Sequence, residues 1–310
     1  MSSNTHKSVM LEACIDNLDI QANGCYIDMT LGRGGHTDLI LKKLGPQGCV
    51  IGIDQDQTAI DYCIKKFISD KRVTIIKNNF CNVQSILRGL KINHVQGILM
   101  DLGVSSPQLD NPDRGFSYHN DGPLDMRMDQ TQSLTAQTIV NTYSLKELCT
   151  IFRNYGEIKN PLSVSSAIIR YRTKFGSITS TLQLVEIIKA ALPKKELSKT
   201  KHFARCYFQA LRIAVNDELN ILKKSIELAA QCLDKNGRLA IITFHSLEDK
   251  IVIKAFSELS KNKLPKEIPI NDSLGQEFKI LNIRPIIPDS DELIDNHRAR
   301  SSRLRILMKC

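Results

Sequence analysis

The stretch Tyr26-Ile27-Asp28-Met29-Thr30-Leu31-Gly32-Arg33-Gly34-Gly35-His36 constrains this chain more than any other. An apolar run from Cys25 to Met29 reads as a buried strand. A glycine cluster follows, and Thr37-Asp38-Leu39-Ile40-Leu41 reads as the start of a helix. Strand, glycine turn and helix together open a nucleotide-type α/β unit. The glycines matter because they let backbone approach a ligand where a Cβ would collide. A second strand, Cys49 to Ile53, ends in Asp54. That acid lies about 20 residues past the turn, where a carboxylate can accept hydrogen bonds from ribose hydroxyls.

The glycine spacing narrows the ligand. A dinucleotide loop wants G-x-G-x-x-G, but counting from Gly32 puts Thr37 in the third place. Asp28 at the strand end, with Thr30, Gly32 and Gly34 at alternate positions, resembles the first motif of S-adenosylmethionine-dependent methyltransferases. The bland reading is a glycine-rich turn with no ligand, and Asp54 weighs against it.

Three further strands follow the same rhythm. Arg72 to Ile76 leads to Asn78-Asn79-Phe80. Val95 to Met100 ends in Asp101, and Arg238 to Phe244 runs into His245. Helical spacing lies between them, over Thr58–Phe67 and Val83–Leu90, so a parallel sheet with right-handed crossovers is expected. Loops at strand C-termini line the ligand crevice of such sheets, which puts the glycine turn, Asp101 and His245 on one edge. The loop Ser105-Ser106-Pro107-Gln108 resembles the S-P-P-Y motif of amino-methyltransferases, with Gln108 where an aromatic would stack. Read alone, it is as readily a polar turn.

From Leu109 to about Arg205 the α/β rhythm stops. A long polar connection reaches Asp129, and a connection of that length is either functional or disordered. Capping boxes at Ser144-Leu145-Lys146-Glu147 and at Ser180 with Gln183 then announce helices, and Val164–Tyr171 reads as another. The expected domains are a core over 1–108, a helical insertion over 109–205, and the rest of the core over 206–310. Phe208, Leu211, Val215, Leu219, Leu222, Ile226, Ala229 and Leu233 recur at three- and four-residue spacing, which predicts one long helix ending at Gly237. Gln209, Arg212 and Asn216 lie off that stripe, where solvent is the default. Ser246 is the expected cap of a helix through Phe256. Phe278–Leu281 and Leu304–Met308 read as a closing antiparallel pair.

Charge and cysteines set the setting. The formal net charge of +9 over 310 residues leans toward a nucleic-acid partner, although a basic surface also serves solubility. Lys194, Lys195, Lys199, Lys201 and Arg205 read as a solvated connector or as phosphate contacts. Arg298, Arg300 and Arg303 in one short loop are candidates for bidentate phosphate binding, against a solvated basic loop. The nine cysteines are scattered, without a C-x-x-C pair, so neither a zinc site nor a disulfide framework is expected. No apolar run is long enough to span a membrane and no signal peptide is visible, so a cytoplasmic setting is expected.

Eight stretches in order resemble one family, the bacterial 16S rRNA (cytosine-N4)-methyltransferases (RsmH/MraW). They are 28–36, 101–110, Arg114-Gly-Phe-Ser117, 122–129, Tyr155-Gly-Glu157, 208–213, 244–249 and 298–301. The resemblance implies a class I S-adenosylmethionine-dependent methyltransferase fold, Rossmann-like, with a mostly parallel seven-stranded sheet and a helical insertion domain for substrate recognition that would help to hold RNA. It implies methylation of the N4 amine of a cytosine in the decoding region of 16S rRNA, with S-adenosyl-L-methionine as cofactor and the small ribosomal subunit as partner. It allows a homodimer. Cofactor contacts would come from Gly32, Gly34, Gly35, His36, Asp54, Phe80, Asp101 and Gln108. Ser105 or Ser106 would orient the amine, Asp101 or His245 would pass its proton on, and Phe244 with Arg298, Arg300 and Arg303 would hold RNA. No metal is required. The sequence departs from the family at Ser8 and over His202–Tyr207. An assembly factor without turnover, and an amino-methyltransferase acting on DNA or a small molecule, are the alternatives.

Overall fold

The computed structural model describes residues 8–198, 202–262 and 276–310. His6, Lys199 and Lys201 lie outside the described residues. The chain forms two compact units, Met1–Gly103 with Leu219–Cys310, and Val104–Glu218. Compactness draws the helical unit over Val104–Glu218, where the sequence suggested 109–205.

The first unit is a seven-stranded sheet in the order β3-β2-β1-β4-β5-β7-β6. Strands β1 (Cys25–Asp28), β2 (Cys49–Asp54), β3 (Val73–Lys77), β4 (Val95–Asp101) and β5 (Leu233–Thr243) run parallel. The closing pair β6 (Phe278–Ile280) and β7 (Arg303–Lys309) runs antiparallel. This is the class I methyltransferase sheet. Successive side chains along each strand point to opposite faces. Ile27, Ile51, Ile98 and Met100 therefore join one core with α4 (Val83–Gly89), α12 (Glu218–Gln231) and α13 (Ser246–Leu259). Tyr26, Val50, Leu99 and Ile306 join the other with α1 (Leu11–Leu18), α2 (Gly35–Lys43) and α3 (Gln57–Lys66). Burial on both faces explains why these strands read as unbroken apolar runs rather than alternating ones.

The second unit packs α5 (Ser106–Asp110), α6 (Ala136–Thr142), α7 (Leu145–Gly156), α8 (Leu162–Phe175), α9 (Thr181–Ala191), α10 (Lys194–Leu197) and α11 (Arg205–Asn216). The expected box at Ser144 forms, with both of its hydrogen bonds made by Glu147. At Ser180 only half forms, because the Gln183 carbonyl oxygen accepts from Thr179 instead.

Four expectations change. The long helix breaks at Asp217, a left-handed residue with φ 49°, into α11 and α12, and it stops at Gln231 rather than Gly237. Its stripe serves two cores: Phe208, Leu211 and Val215 pack in the helical unit, while Leu222, Ile226 and Ala229 pack under the sheet. The polar connection is an ordered layer, with Phe116, Leu124, Met126 and Met128 buried in the helical core. His245, not Ser246, caps α13, since its Nδ1 accepts from the Glu248 N–H. Finally, Cys25 and Cys49 face each other in register on β1 and β2, with Cα atoms 4.6 Å apart, and pair as a disulfide.

Candidate functional site

The site builds from the C-terminal ends of three neighbouring strands. β1, β2 and β4 each end in an aspartate: Asp28, Asp54 and Asp101. β1 and β4 are neighbours although β2 and β3 intervene in the chain, so strand order reverses there. Such a switch point leaves a crevice that no crossover covers.

The glycine turn closes this edge. Gly32 and Gly34 adopt φ of 50° and 65°, which a side chain resists. A Cβ on Gly34 would also strike the ring of Phe67, and one on Gly35 would strike Ser8. The Gly32 N–H donates to Asp54 Oδ2 at 2.8 Å, which locks the turn to β2. Lys66 Nζ donates to the carbonyls of Arg33 and Gly34 at 3.2 and 3.1 Å. Thr30 Oγ1 accepts from the Asp101 N–H at 2.7 Å, so turn and β4 are tied as well. Asp28 accepts from the Thr37 hydroxyl at 2.8 Å and from the Thr30 N–H at 3.2 Å.

The charges are unbalanced. Burial pushes Asp28 up to about 6 against the pull of the Thr37 and Thr30 bonds. Burial also takes Asp54 to about 6, with neighbouring Asp56 and Asp28 adding to it. Burial, then Asp28, Glu248 and Glu292, raise Asp101 well above the carboxylate range. Asp101 Oδ1 is buried and has no hydrogen-bond partner among the described residues. Its Oδ2 lies 3.9 Å from His36 Nδ1, too far for a bond. Burial lowers His36 to about 4, so the ring is neutral near pH 7. Its Nε2 lies 3.1 Å from the Val9 carbonyl. A carbonyl only accepts, so Nε2 carries the proton and Nδ1 presents a lone pair toward Asp101. The His36 Nδ1 lone pair thus faces the Asp101 carboxyl, and nothing among the described residues donates to Asp101 Oδ1. The arrangement suits a cationic ligand with donor hydrogens.

A model of the MraW methylase family matches residues 3–310. The chain belongs to that family. The protein named Ribosomal RNA small subunit methyltransferase H from Ureaplasma urealyticum serovar 10 is 53% identical over 309 residues, covering 100% of this chain and 99% of its own. Its namesake in Oenococcus oeni is 49% identical and covers 98% of each chain. That of Halothermothrix orenii is 48% identical and covers 97% of each. As an MraW methylase, the chain is an enzyme and its cofactor is S-adenosyl-L-methionine.

The remaining expected residues fall in several places. Within the sheet unit, Phe80 opens a short 3-10 turn after β3, half-buried, at the same strand ends. Phe244 follows β5, and its ring would lie 3.7 Å from a Cβ on Gly103. The neighbouring His245 sits 3.1 Å from Glu248 through its Nε2. Glu248 is buried and accepts from the Phe244 and His245 N–H groups, so this turn is rigid. Arg303, half exposed, binds Asp249 at 2.7 Å. Arg305 is buried and binds Asp249 at 2.6 Å. Burial pushes Asp249 up, but Arg305 and Arg303 outweigh it and hold it low. Arg298 and Arg300 are exposed on a 3-10 turn over His297–Ser301.

In the helical unit, Ser105, Ser106 and Gln108 form the start of α5. Gln108 is buried and its Oε1 accepts from the Ser105 N–H at 2.9 Å, so this oxygen caps the helix. Gln209, Arg212 and Asn216 are not solvent-facing. Gln209 donates to the Tyr155 carbonyl, and Arg212 pairs with Glu218 at 2.8 Å. Asn216 donates to the Met126 carbonyl and accepts from the Met128 N–H, both at 2.8 Å. Asp28, Glu248 and Asn216 are the structurally important polar residues that the expected site left out. Only Asp28 carried a local signal, as an acid ending an apolar strand before glycines.

No helix among the described residues is long and apolar enough to cross a membrane.

Proposed function

We propose that this methylase transfers the methyl group of S-adenosyl-L-methionine to the N4 amine of a cytosine in the decoding region of 16S rRNA, acting on the small ribosomal subunit. Family membership supplies the reaction class, and the relatives' names point to ribosomal RNA of the small subunit. The observation that carries the site assignment is the trio Asp28, Asp54 and Asp101 at three neighbouring strand ends around the glycine turn, with Asp101 Oδ1 buried and without a partner among the described residues. The cofactor, when bound, supplies an electrophilic methyl on a positively charged sulfur. Its ammonium and sulfonium charges fit an edge that raises three carboxylate pKa values.

The chain's residues do the rest. The Gly32–Gly35 backbone leaves room for close approach, and Asp54 keeps one oxygen lobe for hydroxyls while holding Gly32. Phe80 offers an apolar ring to a base. A cytosine amine is a poor nucleophile, because its lone pair is delocalised into the ring. Ser105 and Ser106, four and five residues after Asp101 in the chain, supply acceptors that turn the amine's lone pair toward the methyl. Alignment of this kind accounts for much of the acceleration in such displacements. The methylated amine is acidic, so a raised carboxylate suffices as proton acceptor, and Asp101 has that character. His245 is committed to capping α13 and serves to place Phe244 against the base.

The test uses labelled S-adenosyl-L-methionine with small subunits from cells lacking this protein, followed by nucleoside analysis. Label in N4-methylcytosine of 16S rRNA is expected. Label in another nucleoside would overturn the target atom, and cofactor binding without label would favour an assembly factor.

A further inference from the structure

The helical unit carries a cavity of about 770 Å³ that the glycine-turn site does not use. Arg153 near the end of α7, Lys159 and Asn160 in the following loop, and Ser163, Ser166 and Arg170 on α8 line it. Positions 163, 166 and 170 share one helical face. No carboxylate lines the cavity. Arg153, Lys159 and Arg170 are exposed and make no ion pair or hydrogen bond among the described residues. Pro161 heads α8 with no side-chain cap, so the positive end of that helix adds to the same field.

A second cavity shows what ordinary basic lining looks like. Its Lys42 pairs with Asp38 at 3.2 Å, its Arg72 with Asp70 at 2.6 Å, and its Lys66 serves backbone carbonyls. There the cations are spent inside the protein. The bland explanation of the first cavity covers only Arg153, which favours the carbonyl end of α7. It does not explain why Lys159 and Arg170 converge on the same hollow without an acid.

We propose that this cavity is a phosphate-binding site for the backbone of the substrate RNA, separate from the residues that handle the target base. The proposal rests on an RNA substrate as argued above. Two guanidinium forks, one ammonium and two hydroxyls match a phosphodiester, whose oxygens only accept. Contacts of this kind position RNA without reading its sequence.

The experiment compares three proteins: wild type, the triple variant Arg153→Ala, Lys159→Ala, Arg170→Ala, and the double variant Arg153→Lys, Arg170→Lys. Binding of small-subunit rRNA is measured across salt concentrations, alongside cofactor affinity and the thermal midpoint. Each phosphate contact contributes about 0.7 to 0.9 to the slope of log K against log salt. The alanine variant is expected to lose about 0.7 to 0.9 from that slope, the worth of one phosphate, with cofactor affinity and midpoint unchanged. The lysine variant is expected to keep the wild-type slope, because charge sets it. An unchanged slope in the alanine variant, with wild type binding and methylating rRNA, overturns this site alone. Failure of wild type to bind rRNA at all overturns the functional reading and this proposal with it. Displacement of RNA by a mononucleotide at matched ionic strength, from wild type but not from the alanine variant, would assign the cavity to a free nucleotide and overturn the RNA assignment.

Discussion

The glycine-turn edge of the sheet and the ordered layer of the helical unit both bury polar groups, but they settle them differently. In the helical unit the buried groups that hold the ordered layer are matched, although the buried Ser165 hydroxyl on α8 has no partner among the described residues. Arg114 donates to the carbonyls of Arg127 and Met128, and Asn216 serves Met126 and Met128. Arg127 binds Asp125 at 2.7 Å and outweighs the burial that pushes that carboxylate up. At the glycine turn, three carboxylates end neighbouring strands, burial raises all three, and Asp101 Oδ1 has no partner among the described residues. Buried polar groups that are satisfied hold a fold together, whereas unsatisfied ones mark where something else binds.

The sharpest break in this contrast would come from Asp101→Asn. Methyl transfer to small-subunit rRNA is expected to fall about 100- to 1000-fold, the range for removing one preorganised electrostatic group. The thermal midpoint should not fall, because an unpartnered carboxylate adds nothing to stability. A large drop in midpoint would place Asp101 among the structural groups.

Asn216→Ala probes the other side. It strands the Met126 carbonyl and the Met128 N–H in the interior, a cost of about 3 kcal/mol. Denaturant unfolding should show that loss, while cofactor affinity of the folded protein stays put. An unchanged midpoint would mean the layer is held elsewhere.

Asp249→Ala asks whether the contrast follows the unit or the local pairing. Asp249 lies in the sheet unit but is fully matched by Arg303 and Arg305. Its loss leaves buried Arg305 with only the Ile283 carbonyl and should cost about 2 kcal/mol, a figure reduced because Arg303 is half exposed. A neutral result would tie satisfied polarity to the helical unit only.

The smallest effect is a pH dependence. Asp28 and Asp54 titrate near 6 in the fold and about 3.9 when unfolded. A raised carboxylate favours the fold while protonated, and that advantage is lost as pH rises through about 6. The cofactor-free protein should therefore be more stable at pH 5 than at pH 7, by about 1 kcal/mol per carboxylate. Cofactor affinity should run the other way and weaken below pH 6, since a cation prefers the ionised edge. Affinity that rises on acidification would rule out these acids as its partners.

Much of the sheet was legible because its signals are local. The apolar runs of β1, β2 and β4 each end in an acid, and a strand buried on both faces needs nothing from a distant residue to be recognised. The glycine turn, Asp54 and Asp101 were legible for the same reason. Asn216 was not, because periodicity marks it only as lying off an apolar stripe, and its partners at 126 and 128 sit in a segment without regular structure. Arg303 read as a phosphate ligand because three arginines in one loop look alike in sequence, while Asp249 claims one of them and the buried Arg305 beyond the loop.

By itself, then, the sequence determined the strands, their acidic ends and the glycine turn that makes a nucleotide-type edge, and with them the family. Tertiary structure alone decided where the 208–233 stripe is cut, which arginines are spent on Asp249, that Cys25 meets Cys49, and that three unpaired cations gather in one hollow of the helical unit. The reason is physical: propensity and period act over a few neighbouring residues, whereas pairing and burial depend on which side chains the fold brings together across the chain.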